Sequence, residues 1–284
     1  MTAGPADPHP SAVVHVDLDG AGHIYRAHGW RYDEGDDPLF ESGLRGALDL
    51  FARAQIPATL FVIAEDAAHP RKRALIQEAI DAGHEIASHS LTHRRLTVLT
   101  RAEKWREISE SRSVLADTFG VPVRGFRAPG FHRDSESLEL IGEAGYAYDS
   151  SELAGTHRQP RAPYHPLSGR PLVELPVPSM SPLSLPFHPS YSLVLGQWYF
   201  RAGLAASRRR PAPFVLLFHL TDFADPLPST RVRAWQQRLF TLSHATAQDK
   251  RARSAAMLGW VKQSFTVRPT TPLVDESQRG LSHP

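Results

Sequence analysis

Two histidines four residues apart, His89 and His93 in the run His-Ser-Leu-Thr-His, follow a β-rich stretch that ends Ile86-Ala87-Ser88. On a helical turn this spacing sets both imidazoles on one face with Cβ atoms about 5–6 Å apart, close enough to share one metal ion. A hydrolytic metal site also needs a carboxylate and an open position for water and substrate. Val16-Asp17-Leu18-Asp19-Gly20, at the end of the first apolar segment, offers two carboxylates, because side chains two apart on a strand share a face. One can ligate the metal while the other, held off it, acts as general base on water. Taken singly, an Asp-x-Asp-Gly run is also a common turn with capping carboxylates.

Three further segments follow in order. Arg127-Ala128-Pro129-Gly130-Phe131 comes after one candidate strand, Asp149 ends the next, and Leu217-Phe218-His219 closes the last apolar one. With these in place the chain resembles the polysaccharide deacetylase superfamily, also called the NodB-homology or carbohydrate esterase family 4 group, over about residues 11–225. The resemblance implies a distorted (β/α) barrel, hence an α/β fold in a single domain. It also implies one divalent metal ion, zinc by preference with cobalt, nickel or iron as substitutes, and hydrolysis of an N-acyl group on an amino sugar.

Residue by residue, the resemblance makes Asp19, His89 and His93 the metal ligands, and Asp17 the base in an Asp-x-Asp variant of the family's usual adjacent pair. Leu18 stands where the base usually lies. Arg127 is implied to pair with Asp17, Asp149 to orient His219, and His219 to act as general acid to the departing amine. Pro129, Phe131 and Leu217 are implied to contact substrate, with Leu217 lining the acyl pocket. The family places a tryptophan four residues after the fourth-motif aspartate, and position 153 is Leu, so the wall there must come from elsewhere.

The elements that must position these groups are legible as alternation. Ala12–Asp17, Ala58–Ile63, His84–Ser88, Val123–Arg127 and Tyr146–Asp149 are candidate strands, and apolar residues recur at helical spacing between them: Leu44, Ala47, Leu48 and Phe51; Leu75, Ile76, Ala79 and Ile80; Trp105, Ile108, Val114 and Leu115. Repeated βα units predict a parallel sheet. From Pro160 to Pro189 prolines break regular structure, predicting a loop insertion over about 155–190 with at most short edge strands. A helix over Tyr191–Ser207, a strand over Phe214–His219 and two helices over Arg231–Ala245 and Lys250–Phe265 complete a catalytic domain spanning 11–267. Residues 1–10 and 268–284 read as flexible tails.

Composition narrows the function class. Lys+Arg 32 against Asp+Glu 30 leaves a net charge of +2, which gives no electrostatic reason to expect nucleic acid. The absence of cysteine removes thiolate metal sites and disulfides, so any metal is left to His and carboxylates, and it is compatible with a cytoplasmic location. The apolar stretch Ala12–Val16 is too short for a signal-peptide core or a span, and no transmembrane segment is expected. The partner is then a carbohydrate, or a lipid-linked or nucleotide-linked sugar processed at the inner membrane face. Trp198, Tyr199 and Phe200 with Arg201 and Arg208 to Arg210 are a grouping that suits peripheral membrane contact, and equally a core helix with a solvated basic end. The departures at Leu18 and Leu153 motivate a different class, a catalytically silent carbohydrate-binding relative that keeps its metal. His132, His157, His165 and His188 carry no assigned role, although the proline-rich segment could bring His165 and His188 to the substrate groove.

Overall fold

The computed structural model describes residues 9–30, 32, 35, 37–154, 162–180, 185–210, 212–227 and 244–281. Eleven strands lie among them: β1 Ser11–Asp17, β2 Thr59–Val62, β3 Glu85–Ser88, β4 Gly125–Phe126, β5 Tyr148–Asp149, β6 Leu153–Ala154, β7 Val173–Glu174, β8 Val177–Met180, β9 Leu185–Pro186, β10 Phe214–His219 and β11 Thr266–Val267. The main sheet is parallel throughout, in the order β10-β1-β2-β3-β4-β5-β7, with β11 joining β1 at its start. This curled sheet with helices outside it is the expected distorted (β/α) barrel. A second sheet, β6-β8-β9, comes from the proline-rich connection, and its strand β8 packs beside β10.

The helices are α1 Ala21–Ala27, α2 Pro38–Ala54, α3 Pro70–Asp81, α4 Arg101–Trp105, α5 Ser111–Phe119, α6 Ser135–Glu143, α7 Pro189–Leu195, α8 Gln197–Arg208, α9 Ala247–Lys262 and α10 Thr270–Leu281. A π-helical turn, Arg106–Glu110, joins α4 to α5. Helix α1 has no counterpart in the sequence reading, and the helix expected over Tyr191–Ser207 is divided at Gly196 into α7 and α8. The helix expected over Arg231–Ala245 lies almost wholly outside the described residues.

Alternation along the strands separates two cores. Val14, Val16, Leu60, Val62, Ile86, Leu216 and Phe218 face outward, where Leu44, Ala47 and Phe51 of α2 and Leu75, Ile76 and Ala79 of α3 cover them. Val13, Val215 and Leu217 face inward with Leu175 and Val177, and Phe61, Ala87, Tyr148 and Val173 form the neighbouring interior cluster. Burying both faces of a parallel sheet is what makes these strands near-continuous apolar runs.

The C-terminal segment corrects the expectation of a flexible tail after residue 268. Helix α10 closes the barrel at the end opposite the strand C-termini: Leu273 and Val274 enter the two interior clusters, and Thr270 Oγ1 lies 3.1 Å from His15 Nε2 and 2.7 Å from Thr59 Oγ1. Composition hid this because only two apolar side chains are committed to the core.

The proline-rich connection is tied down by charge. Arg133 Nε lies 3.0 Å from Asp149 Oδ2, and its Nη2 lies 3.0 Å from Glu152 Oε2 and 3.3 Å from Glu174 Oε2. The Tyr164 hydroxyl donates to Glu152. Three carboxylates around one guanidinium overcompensate its charge. Burial, and then Asp149, raises the Glu174 carboxyl well above the usual carboxylate range, and burial raises Asp149 as well.

Two stability predictions follow from this packing. Leu273→Ala lowers unfolding free energy by about 2–4 kcal/mol, read from the urea midpoint; a change within error would mean that α10 is not part of the cooperative fold. Glu174 binds its proton more tightly folded than unfolded, so its contribution is full below the ordinary carboxylate value of about 4.3 and is lost as pH rises through the raised folded value. Glu174→Gln therefore flattens the fall in Tm between acidic and alkaline pH, whereas a fall as steep as that of the unsubstituted chain would contradict the raised Glu174 pKa.

Candidate metal and catalytic site

Register collects the candidate residues at one end of the sheet. Asp17 pairs with His219 across β1 and β10, Ser88 ends β3 just before His89, and Phe126 ends β4 just before Arg127. The strand C-termini of a parallel sheet bring loops together in this way by topology alone.

Arg127 is fully buried, and its guanidinium is almost fully engaged. Nη1 donates to Asp17 Oδ1 at 2.7 Å, Nε donates to the Ser150 carbonyl at 2.8 Å, and Nη2 donates to Ser150 Oγ and to His15 Nδ1, both at 2.8 Å. The plane lies 4.0 Å from the Phe61 ring centroid. Because His15 accepts at Nδ1, its Nε2 carries the proton and donates to Thr270 Oγ1. Burial, and then the charge on Arg127, holds the His15 pKa well below its ordinary value, in keeping with a neutral ring.

Asp19, His89 and His93 converge beside this pair, with one ligand atom from each lying within 4.8 Å of the others. Asp19 Oδ1 is 3.4 Å from His89 Nε2 and 3.2 Å from His93 Nε2. His89 Nδ1–H donates to the Arg127 carbonyl at 2.8 Å, which leaves the Nε2 lone pair facing Asp19. Although burial works against ionisation of Asp19, His93 and His89 hold its pKa well below the usual carboxylate range. Asp17 Oδ2 stays farther off, 3.9 Å from His89 Nε2 and 3.8 Å from His219 Nε2.

The two histidines do not sit on a helical turn as their spacing suggested. Residues 89–93 form a loop in which Ser90 and His93 both have positive φ, 69° and 60°. Phe131, in the turn after Arg127, has φ 61°. Such conformations cost non-glycine residues about 1–3 kcal/mol each and persist where surroundings enforce them. Here the enforcing group is Glu107, in the π-helical turn, which accepts from Leu91 N at 3.1 Å and Thr92 N at 2.9 Å, as well as from the Thr92 hydroxyl. His23 packs its ring 5.8 Å from that of His93 and meets Asp66 Oδ1 at 3.1 Å, and Lys72 bridges Asp66 to Asp37 at 2.8 and 2.9 Å. Asp37 in turn accepts from Ala21 N, fixing the loop that carries Asp19. A Cβ on Gly20 would collide with the Asp37 carboxylate, so this close approach requires glycine.

Two expected roles need correction. Asp149 does not touch His219: its Oδ1 accepts from Ser151 Oγ and its Oδ2 meets Arg133. His219 Nδ1 lies instead 3.0 Å from Ser190 Oγ, which donates to Asp222 Oδ2 at 2.9 Å. Leu217 is fully buried one step below His219 on β10, so it supports the floor from beneath and does not line an open pocket. Pro129 is buried within its turn, whereas Phe131 and Leu153 are partly exposed and cover the interior cluster that contains Leu217, forming an apolar wall on the side where a tryptophan is missing.

His188 does reach the site, with its ring 5.1 Å from that of His219 and its Nδ1 buried without a hydrogen-bond partner. His165 is held by the Leu172 carbonyl, His132 by Arg95, and His157 lies outside the described residues. Sequence reasoning missed His15, Ser190 and Asp222. The signals were faint: His15 shares a strand face with Asp17, and Asp222 follows His219 by three.

Residues 27–148 match the polysaccharide deacetylase family. A chitooligosaccharide deacetylase of Sinorhizobium fredii is 32% identical over 118 residues, 41% of this chain and 52% of that protein. A peptidoglycan deacetylase of Helicobacter pylori is 27% identical over 141 residues, 48% of this chain and 47% of the relative. The chain thus spans about half the length of these relatives. Among solved structures, a Mycobacterium smegmatis protein assigned to the polysaccharide deacetylases superposes with TM-score 0.67 at 21% identity, covering 99% of this chain and 94% of that one. The allantoinase Puue superposes with TM-score 0.66 at 18% identity, covering 99% and 96%, a likeness of fold alone. The partial sequence matches, together with the barrel and its strand order, show that the chain resembles the polysaccharide deacetylase superfamily.

Proposed function

We propose that the chain is a metal-dependent hydrolase that removes an N-acyl group, acetyl or formyl, from an amino sugar or glycan. The observation that carries this reading is the convergence of Asp19, His89 and His93 beside an Arg127-held carboxylate and a facing imidazole. The donor set fits a divalent ion: Asp19 Oδ1 and both ring nitrogens of His93 are buried without hydrogen-bond partners, and His89 presents Nε2 while Nδ1 is held from behind. Two imidazoles and one carboxylate suit zinc first, with cobalt, nickel and iron as alternatives.

Bound there, a divalent ion supplies polarisation of the acyl oxygen and acidification of water. The protein residues supply the proton traffic. Asp17, oriented by Arg127 and held off the ligand set, takes a proton from the attacking water. As the C–N bond breaks, its electron pair stays on nitrogen, and the proton on His219 Nε2 passes to that nitrogen. The products are a carboxylate and a free amine. Phe131 and Leu153 provide apolar surface beside the reaction space.

The substrate class is supported by the relatives named as chitooligosaccharide and peptidoglycan deacetylases. A second reading places a lipid-linked or nucleotide-linked sugar in the site, with the protein in the cytoplasm at the inner membrane face. Trp198 is 68% exposed, which favours it, whereas Tyr199 and Phe200 are buried in the core and contribute nothing to a membrane surface. No described helix is long and apolar enough to cross a membrane. A silent carbohydrate-binding relative would have no use for the Asp17–Arg127 pair aimed at the metal cluster.

Incubation with a panel of N-acetylated and N-formylated sugars, with and without chelator, gives chelator-sensitive amine release on this account; bound metal with no release across both free and lipid-linked substrates would overturn it. Asp17→Asn retains stoichiometric metal and lowers kcat by about 10²–10⁴, whereas retained turnover would remove Asp17 as base. His93→Ala lowers metal affinity in a competition titration, and unchanged affinity would exclude it as a ligand.

A further inference from the structure

We infer that His15 is a positioning residue for the Asp17 base, holding Arg127 from beneath at the head of a polar rung that runs through Thr270 and Thr59 to Glu85 at the far end of the barrel. This rests on the proposed role of Asp17 and deepens it.

Register builds the rung. His15, Thr59 and Glu85 are partners across β1, β2 and β3, one layer below Asp17, Phe61 and Ala87. The inward layers of a barrel are ordinarily filled by branched apolar side chains, and Val13, Phe61, Val215 and Leu217 do so here. A polar rung in such a setting persists only where every hydrogen has an acceptor. His15, Thr59 and Thr270 are each at most 1% exposed, so those acceptors come from the protein.

The hydrogens run one way. A guanidinium only donates, so His15 Nδ1 accepts from Arg127 Nη2 at 2.8 Å. The ring hydrogen then sits on Nε2 and goes to Thr270 Oγ1 at 3.1 Å. Thr270 passes its own hydrogen to Thr59 Oγ1 at 2.7 Å, and Thr59 donates to Glu85 Oε2 at 3.2 Å. Burial raises the Glu85 carboxyl above its ordinary value, with Thr271, Thr59 and Arg124 acting against burial. A carboxyl oxygen accepts in either charge state, so the direction of the rung is imposed by Arg127 and not by ionisation of Glu85. Thr271 N and Oγ1 also donate to Glu85, which seats the first turn of α10 and with it Thr270. Burial raises the Tyr148 phenol beside Thr59, so no negative charge enters the rung from that side.

The consequence for the site is geometric. A planar guanidinium held at Nη2 by His15 and Ser150 Oγ, and at Nε by the Ser150 carbonyl, has a fixed direction for the Nη1–H that meets Asp17 Oδ1 at 2.7 Å. The other His15 tautomer would set an N–H against the Nη2–H in a closed space, and a protonated ring would set charge against charge. Burial, and then Arg127, holds the His15 pKa low, which keeps the accepting form in place.

The test is ¹⁵N NMR of the full-length, histidine-labelled protein, together with the kinetics of amine release. The His15 ring, assigned by its contact with Phe61 at a centroid distance of 5.0 Å, is the neutral Nε2–H tautomer without substrate; an Nδ1–H ring, or an imidazolium at neutral pH, overturns the proposal. His15→Phe lowers kcat about 10-fold with KM unchanged, and His15→Asn, whose Oδ1 replaces the Nδ1 acceptor, restores most of it. Thr59→Val keeps the branched shape and lowers kcat about 3-fold, Thr59→Ser restores it, and this pair carries the test if His15→Phe does not fold. In the Asp17→Asn background neither His15→Phe nor Thr59→Val lowers kcat further, because both act through that carboxylate. Equal losses with and without the Asp17 carboxylate, or a raised KM in place of a lowered kcat, contradict a positioning role. Because the tautomer is read without substrate, a chain that shows it but hydrolyses no amide would support the rung while removing the proposed function.

Discussion

A guanidinium with no access to solvent is the constraint around which this protein is organised. Burying a charge costs several kcal/mol unless it is paired and its hydrogens are placed, and Arg127 meets that demand by drawing acceptors from two strands: Asp17 and His15 of β1, and Ser150 directly after β5. Its own carbonyl then fixes the His89 ring. One residue thereby links the Asp17 carboxylate to a member of the Asp19–His89–His93 cluster. His15 carries the linkage down the barrel axis to Thr270, so the helix closing the far end is coupled to the site through two hydrogen bonds.

The two sides of the site are supported differently. The Asp19, His89 and His93 side rests on strained loops held by buried carboxylates, Glu107 beneath residues 91–92 and Asp37 beneath residue 21. That arrangement brings three side chains to one point and leaves Asp19 Oδ1 and both His93 ring nitrogens buried without hydrogen-bond partners, a deficit of the kind a cation offsets. The His219 side rests on α7 and the turn after β10, elements that follow the proline-rich connection. Variation in that connection would change the site's surroundings without disturbing the Asp19–His89–His93 cluster.

What the sequence made legible tracks how local each signal is. Strand alternation and helical spacing located β1, β2, β3, β10 and helices α2 and α3 closely, and the ends of those strands carried Asp17, Asp19, His89 and His219. The Asp17–Arg127 pair, 110 residues apart, was reached only through the family resemblance, because no local pattern encodes it. The loop conformation of residues 89–93 defeated the helical reading, since its backbone is dictated by Glu107 from a separate helix. Ser190 and Asp222 escaped notice because a serine in a proline-rich stretch and an aspartate after a strand both have ordinary local roles. Helix α10 escaped because its anchoring depends on two threonines, Thr270 and Thr59, meeting across 211 residues.

The most direct test of the account is the position of an anomalous scattering peak in crystals grown with cobalt or zinc. It predicts a single peak about 2.0–2.2 Å from Asp19 Oδ1, His89 Nε2 and His93 Nε2, with Asp17 still paired to Arg127 and outside the coordination shell. A peak ligated by Asp17, or one lying away from these three residues, would contradict the division of labour between the two aspartates on which the mechanism rests.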